Sequence, residues 1–434
     1  MTRILLSAYQ CGAGMGSVSQ IGWEWATRLS RRTGVTLVTH IRNCDAIEAH
    51  RHELGDSEVV YIDTEWFAGP LYRLARRIFP RSEHAVFLIS SLDYLLFDHL
   101  SVKMLKRRMA EGARWDVAHA VTPVSPMTPA SLHRLGLPTV LGPLNGGLGM
   151  PQAFSSIMRQ EASWIYPLRR LSAWLQRLRG SVIKASVVLA ATKATRESIG
   201  QAENGRIVPM TENGVDLDIF QAAPWPEAPG IGNPLRIFFA GRLIPVKGLP
   251  MLLSAVAQLA KEFPIHLTVA GDGPMRDEWQ RMAAELGIAK NVEFLGSVGL
   301  PEISREMKKC HLFCLPSVRE SGGAVLLEAM AASRPVMALA YGGPAEIVDE
   351  EVGRALPPAN EEAVILGLAE ALRDVVENPV AWQAKGISGR RRVETLYSWE
   401  GKIEAAMKIY VESQRGTMAA TKQGRISTGL TGLF

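Results

Sequence analysis

Glu320 and Glu328 stand eight positions apart across a glycine pair in PSVRESGGAVLLEAMAA, residues 316–332. Two carboxylates at that spacing can meet the near and far ends of one elongated ligand if the second lies about two turns into a helix. Cations are available elsewhere: GRLIPVKG at 241–248 carries Arg242 and Lys247 five positions apart, a pairing suited to a diphosphate. Such a clamp stabilises a leaving phosphate without a metal, so none is expected to be required. Taken alone, each segment also reads as an ordinary solvated surface, with two exposed glutamates in one and a salt-bridging Arg and Lys in the other.

These residues need elements to hold them. Residues 311–315 (HLFCL) are a short apolar run stopped by Pro316, as a buried strand would be, and AVLLEAMAA is a run of strong helix formers. The motif is therefore strand, loop, helix. Ser321, Gly322, Gly323 and Ala324 fall at the helix N-terminus, where backbone N–H groups lack intrahelical acceptors and the helix dipole favours an anion. The pattern around it repeats: strands at 235–240, 265–270, 291–295 and 335–339 alternate with helices at 249–261, 275–286, 361–377, 380–396 and 400–413. The first half shows the same alternation, with strands at 3–9, 35–39, 58–62, 116–121, 138–142 and 186–191.

Three further features of the first half bear on chemistry. Gly12, Gly14 and Gly16 follow the first strand, either for close approach to a ligand or for a tight turn; their spacing is not the dinucleotide fingerprint. His119 falls at the carboxyl end of a strand, where open α/β sheets bind ligands, although a histidine in an apolar strand also reads as a satisfied core residue. GPLNGGLG at 142–149 reads as a loop pressed against a ligand.

The chain has 434 residues, 47% of them hydrophobic, which is enough for two domains. A proline- and glycine-rich stretch at 221–234 reads as the linker between 1–215 and 235–397; the segment 398–414 is a terminal helix, and 415–434 has no clear period and reads as disordered. No run of 18 apolar residues occurs, and the N-terminus lacks a signal-peptide pattern, so a cytoplasmic protein is expected. Four scattered cysteines fit core thiols rather than a metal site. Charge is uneven: residues 1–215 hold 25 Lys and Arg against 17 Asp and Glu, while the remainder holds 23 against 26. The excess gathers at 73–81, 103–108 and 159–184, the last interleaved with Trp164, Tyr166 and Trp174, which suits peripheral attachment to the cytoplasmic face of an anionic membrane. A solvated helix face is the plainer account of such runs.

The ordered set ENGVD, AGRLIPVKG, VAGDGP, VEFLGSV, PSVRESGGAVLLEAMA and YGGPAEIV resembles the retaining glycosyltransferases of family 4, the group 1 glycosyltransferases. The resemblance is strong over about 211–350. It implies an α/β chain of GT-B fold: two facing Rossmann-like, doubly wound parallel-sheet domains, the first binding acceptor and the second the nucleotide sugar, with C-terminal helices crossing back to the first. It implies that Arg242 and Lys247 hold the donor diphosphate, and that Glu328 holds the ribose. Glu320 and the N–H groups of Gly322 and Gly323 would hold the transferred sugar. His119 would stand beside the reacting sugar, and the Gly12–Gly16 loop would close over the phosphates. Base recognition falls near Val298; Gly241, Ser297, Ser321 and Ala324 complete the expected donor contacts. Two departures stand out. Gly322 and Gly323 are adjacent where many members place a phenylalanine between the glycines, and Ser333 stands where a glycine is common.

The expectation is a metal-independent hexosyl transfer, needing no cofactor, from a UDP-, GDP- or ADP-sugar to a membrane-proximal saccharide or lipid-linked acceptor. Nucleic acid is not an expected partner. Transfer to a soluble acceptor and non-catalytic nucleotide-sugar binding are the competing readings, and a hydride-transfer enzyme is disfavoured by the missing fingerprint.

Overall fold

The computed structural model describes residues 2–15, 17–78, 92–128, 130–149, 151–154, 157, 180–199 and 206–428. The chain divides into two units. One comprises Met1–Gly147, Trp164–Glu212 and Lys402–Phe434, the other Leu148–Ser163 and Asn213–Gly401.

The first unit is a seven-stranded, wholly parallel sheet of β1 (Arg3–Ala8), β2 (Gly34–His40), β3 (Glu58–Ile62), β4 (Val117–Thr122), β5 (Thr139–Leu144), β6 (Val187–Ala190) and β7 (Arg206–Pro209). Its order is β3-β2-β1-β4-β5-β6-β7. The central strands are near-continuous apolar runs because helices cover both faces of a parallel sheet; Ile4, Leu5 and Leu6 of β1 are fully buried. Leu6 pairs with Leu37 on one side and His119 on the other. The final helix, Trp399–Thr428, belongs to this unit from Lys402 onward.

The second unit repeats the plan with β8 (Leu235–Ala240), β9 (Ile265–Ala270), β10 (Val292–Gly296), β11 (Leu312–Leu315), β12 (Val336–Leu339) and β13 (Gly353–Leu356), in the order β10-β9-β8-β11-β12-β13. The strand order reverses between β1 and β4 in one sheet and between β8 and β11 in the other, and at such a reversal the loops leave a crevice at the carboxyl edge.

Three stretches lie differently from what their sequence pattern suggests. The 221–234 stretch is stapled to the second unit: the Pro224 carbonyl accepts from buried Arg334 at 2.8 Å, Trp225 Nε1 donates to the His311 carbonyl at 2.8 Å, and His311 Nε2 donates to the Glu227 carbonyl at 2.8 Å. The units change over at Glu212–Asn213 instead. Among the described residues, 148, 149, 151–154 and 157 belong to the second unit, whose core includes the fully buried Phe154. The last helix, Trp399–Thr428, runs on into the tail read as disordered, because a helix already nucleated can extend through a segment that holds no proline.

No helix among the described residues is long and apolar enough to cross a membrane. Of the basic stretches, 103–108 lies on the helix Asp93–Ala110 and 73–78 on the helix Glu65–Ile78. Residues 79–81 and 159–179 are outside the described residues.

Candidate active site

At the reversal in the second unit, the loops after β8 and β11 are built into each other. Val318 N–H donates to the Val246 carbonyl at 2.9 Å. Gly248, at φ +68°, lies so close to the second loop that a Cβ would stand 2.1 Å from the Pro316 oxygen, so only glycine fits. This packing joins residues 73 positions apart: Lys247 Nζ donates to Glu320 Oε2 at 2.5 Å. The other oxygen, Oε1, accepts from Gly323 N–H at 3.3 Å. Gly323, at φ +63°, begins the helix Ala324–Ala331. Glu320 is thus fixed at both oxygens, by an ammonium and by a helix N-terminal amide, and one N–H expected to face a ligand is taken by the loop's own carboxylate.

A third loop locks the second. Gly343 N–H donates to the Glu320 carbonyl at 3.0 Å, and a Cβ on Gly342 would lie 2.1 Å from that same oxygen. The YGGP glycines are therefore the reason the glutamate loop keeps its shape. Beyond them, the Gly342 Cβ position is 2.9 Å from Leu148 Cδ2, and that of Gly149 is 3.5 Å from the Tyr341 hydroxyl, so Leu148 and Gly149 border this loop. Sequence reasoning missed that contribution because nothing in a linear pattern shows a segment changing units.

Glu328 lies in the second turn of the Ala324–Ala331 helix, half-buried among apolar neighbours, and burial pushes its carboxyl up to about 7. No hydrogen bond or ion pair to its carboxylate is formed among the described residues. A desolvated, unmatched carboxylate beside such a crevice marks a functional site more often than a stabilising contact. Arg242 is exposed on the first loop, two residues past β8. Gly241 is pressed by the GDGP loop, where a Cβ on Gly271 would stand 2.0 Å from its carbonyl oxygen. Ser297 is exposed and Val298 half-buried in the turn after β10, Ser321 is exposed, Gly322 is buried and Ala324 half-buried.

The remaining expected residues belong to the first unit. Gly14 is exposed at φ +70°, its N–H donating to Gln20 Oε1 at 3.2 Å; Gly16 lies outside the described residues. His119 is the residue that the resemblance would place beside a reacting sugar. It is fully buried in β4, its Nε2 2.6 Å from the Gly142 carbonyl oxygen and its Nδ1 2.7 Å from the Tyr410 hydroxyl. A carbonyl only accepts, so Nε2 carries the proton and Nδ1 accepts from Tyr410. Both nitrogens are used internally, Trp25 packs edge-on at 5.0 Å, and burial lowers the imidazole to about 4, leaving it neutral.

A polar cluster that sequence reasoning missed gathers at the carboxyl ends of β1, β2 and β3. The fully buried Asp93 accepts from the Tyr9 hydroxyl at 2.7 Å, from Arg42 Nη2 at 2.9 Å and from the Thr64 hydroxyl, and His40 Nε2 lies 2.6 Å from Thr64 Oγ1. The signal available was a polar residue closing each of three successive apolar strands. Cys11, Cys310 and Cys314 are buried, as core thiols should be, and Cys44 is half-buried.

Residues 223–388 match the family described as Glycosyl transferases group 1. The chain is 28% identical over 251 residues to a glycogen synthase of Mycobacterium tuberculosis, covering 57% of each protein. It is 29% identical over 278 residues to a GDP-mannose-dependent alpha-(1-6)-phosphatidylinositol monomannoside mannosyltransferase of Mycolicibacterium smegmatis, covering 60% of this chain and 70% of that one. The match spans little more than half the length of the glycogen synthase. Among solved structures, sucrose-phosphate synthase from Thermosynechococcus elongatus superposes with a TM-score of 0.61 over 97% of this chain and 100% of the other, at 18% identity. Anabaena HepE in complex with UDP gives 0.61 over 94% and 99%, also at 18%. Residues 223–388 are a domain of the group 1 glycosyltransferase family, carried in a chain with the GT-B fold.

Proposed function

We propose that the protein is a retaining hexosyltransferase that moves a sugar from a nucleotide-sugar donor to a membrane-proximal acceptor, a glycolipid, lipid-linked saccharide or polysaccharide precursor. The observation that carries this reading is the Lys247–Glu320 pair at a helix N-terminus, on the same strand-loop-helix unit as the unmatched Glu328. An ammonium has three donors, so Lys247 can keep Glu320 and still reach a phosphate oxygen. With Arg242 it would offset charge developing on the diphosphate as the C1–O bond to phosphate breaks, which assigns that task to protein cations and not to a metal. Glu320, with the amides beside it, would read hydroxyls of the transferred sugar. Glu328 would accept from the ribose hydroxyls, and the turn at Ser297 and Val298 would border the base. The acceptor oxygen bonds to C1 on the face the phosphate leaves, and its proton passes to a phosphate oxygen.

Support for the donor class comes from the UDP bound by HepE and from the GDP-mannose dependence in the mycobacterial mannosyltransferase's name; that enzyme's phosphatidylinositol acceptor supports the membrane-proximal one. A thermal-shift panel of UDP-, GDP- and ADP-sugars tests the reading. One donor type at a hundred times its Kd should add about 2.7 kcal/mol to folding stability. If none of the three raises the melting temperature, the donor assignment is wrong.

A further inference from the structure

The helix Glu65–Ile78 in the first unit is apolar on two faces, an inner one with half-buried Phe67 and Leu71 and an outer one. Its two buried residues are Ala68 and Ala75, seven positions apart, so small side chains make its closest approach to the core. Four large side chains point outward: Trp66, Tyr72, Leu74 and Ile78 are 67%, 46%, 53% and 56% exposed. A helix serving only its own core would turn these residues inward. Among them stand Arg73, Arg76 and Arg77, all exposed, and no acidic residue follows Glu65 along the helix. Glu65 is itself held by Arg42 at 3.0 Å. Arg76 lies over the Tyr72 ring, 5.7 Å from its centroid, and donates Nε to the phenol oxygen at 3.0 Å.

We propose that this helix docks the protein on an anionic lipid bilayer. The large apolar side chains meet a second apolar medium, the headgroup–acyl boundary, where Trp and Tyr are favoured. The arginine stems run along that boundary while their guanidinium groups reach lipid phosphates. Charge decides against a second copy of this chain as the occupant, because a two-fold interface would set the three arginines against their own counterparts. The inference rests on the membrane-proximal part of the proposed function and is independent of its donor chemistry.

The test is co-sedimentation of the full chain with vesicles of phosphatidylcholine alone and of phosphatidylcholine mixed with phosphatidylglycerol. The protein should pellet with the anionic vesicles at low salt, be released by high salt, and ignore the neutral ones. Replacing Arg73→Gln, Arg76→Gln and Arg77→Gln together should weaken binding on the order of a hundredfold. Replacing Trp66→Ser and Leu74→Ser should weaken it while leaving the salt dependence in place. Stabilisation by the donor, measured on the same variants, reports their folding. Should the donor panel fail while anionic vesicles still bind through these residues, the docking helix stands and the donor reading falls. Three results overturn the proposal: wild type that stays in the supernatant with anionic vesicles, a triple-arginine variant that pellets as well as wild type, or a lipid-free dimer that the triple substitution makes monomeric.

Discussion

The two sheets share one winding order, yet their reversal points are finished differently. In the first unit, the strand beyond the reversal carries His119, with both ring nitrogens consumed inside the fold by Gly142 and Tyr410. In the second, the corresponding strand ends in a loop that offers Glu320, paired with Lys247 but 16% exposed, and leads to Glu328, whose carboxylate has no partner among the described residues. Topology supplies the crevice in both. What distinguishes a chemical site from a structural joint is whether the polar groups brought there are already satisfied.

The sharpest way to break this contrast is to remove the second unit's pair. Lys247→Ala or Glu320→Ala should lower transfer from the stabilising donor by roughly a hundred- to thousandfold, with the melting temperature little changed, as expected on losing a preorganised charge. Full activity in either variant would dissolve the distinction. The converse test is His119→Ala, expected to lower the free energy of unfolding by about 3 kcal/mol because it leaves a cavity and unpaired groups at Tyr410 and Gly142. Transfer per folded molecule should persist. The pH dependence gives a second signature: the folded pKa, about 4, is below the ordinary 6.5, so this histidine's contribution is complete above 6.5 and lost as pH falls towards 4. A variant as stable as wild type but inactive would return His119 to the chemistry. The smallest effect belongs to Glu328, whose carboxyl is raised to about 7 and which, in the proposed role, would accept from ribose hydroxyls far more strongly when ionised. Affinity for the nucleotide sugar, whose diphosphate diester does not titrate in this range, should rise roughly tenfold between pH 6 and pH 8 by calorimetry, following ionisation of this one group. Glu328→Gln should abolish the slope, and an unchanged slope in that variant would remove Glu328 from the ribose.

Much of this could be read from local pattern. The strands at 235–240, 265–270 and 58–62 begin and end where apolar runs meet their turns, and the loop carrying Glu320 is marked by its glycines. Hidden features depend on distant partners. His119 looks the same in sequence whether it faces a ligand or Tyr410, which lies 291 positions away. The Glu65–Ile78 helix was visible only as part of a basic run, because exposure of Trp66 and Leu74 depends on which face the alanines turn inward. The 221–234 stretch has a linker's composition, but Trp225 and its neighbours dock on His311 and Arg334 through hydrogen bonds that composition does not encode.

Neither unit is a continuous length of chain, and this sets the order in which the molecule can be completed during synthesis. Lys402, buried at the start of the returning segment, donates to the carbonyls of Thr211 at 2.5 Å and Glu212 at 3.0 Å, and Tyr410 closes His119. A ribosome that has released residues 1–212 has therefore made a sheet whose last fastenings are still some two hundred codons away. The second unit, needing nothing beyond Gly401, can finish first although most of it is encoded later. An expression fragment ending ahead of Trp399 would leave the first unit without the partner of His119 Nδ1 and without the Lys402 ammonium on the Thr211 and Glu212 carbonyls, and a buried group that stays unpaired costs about 1–3 kcal/mol.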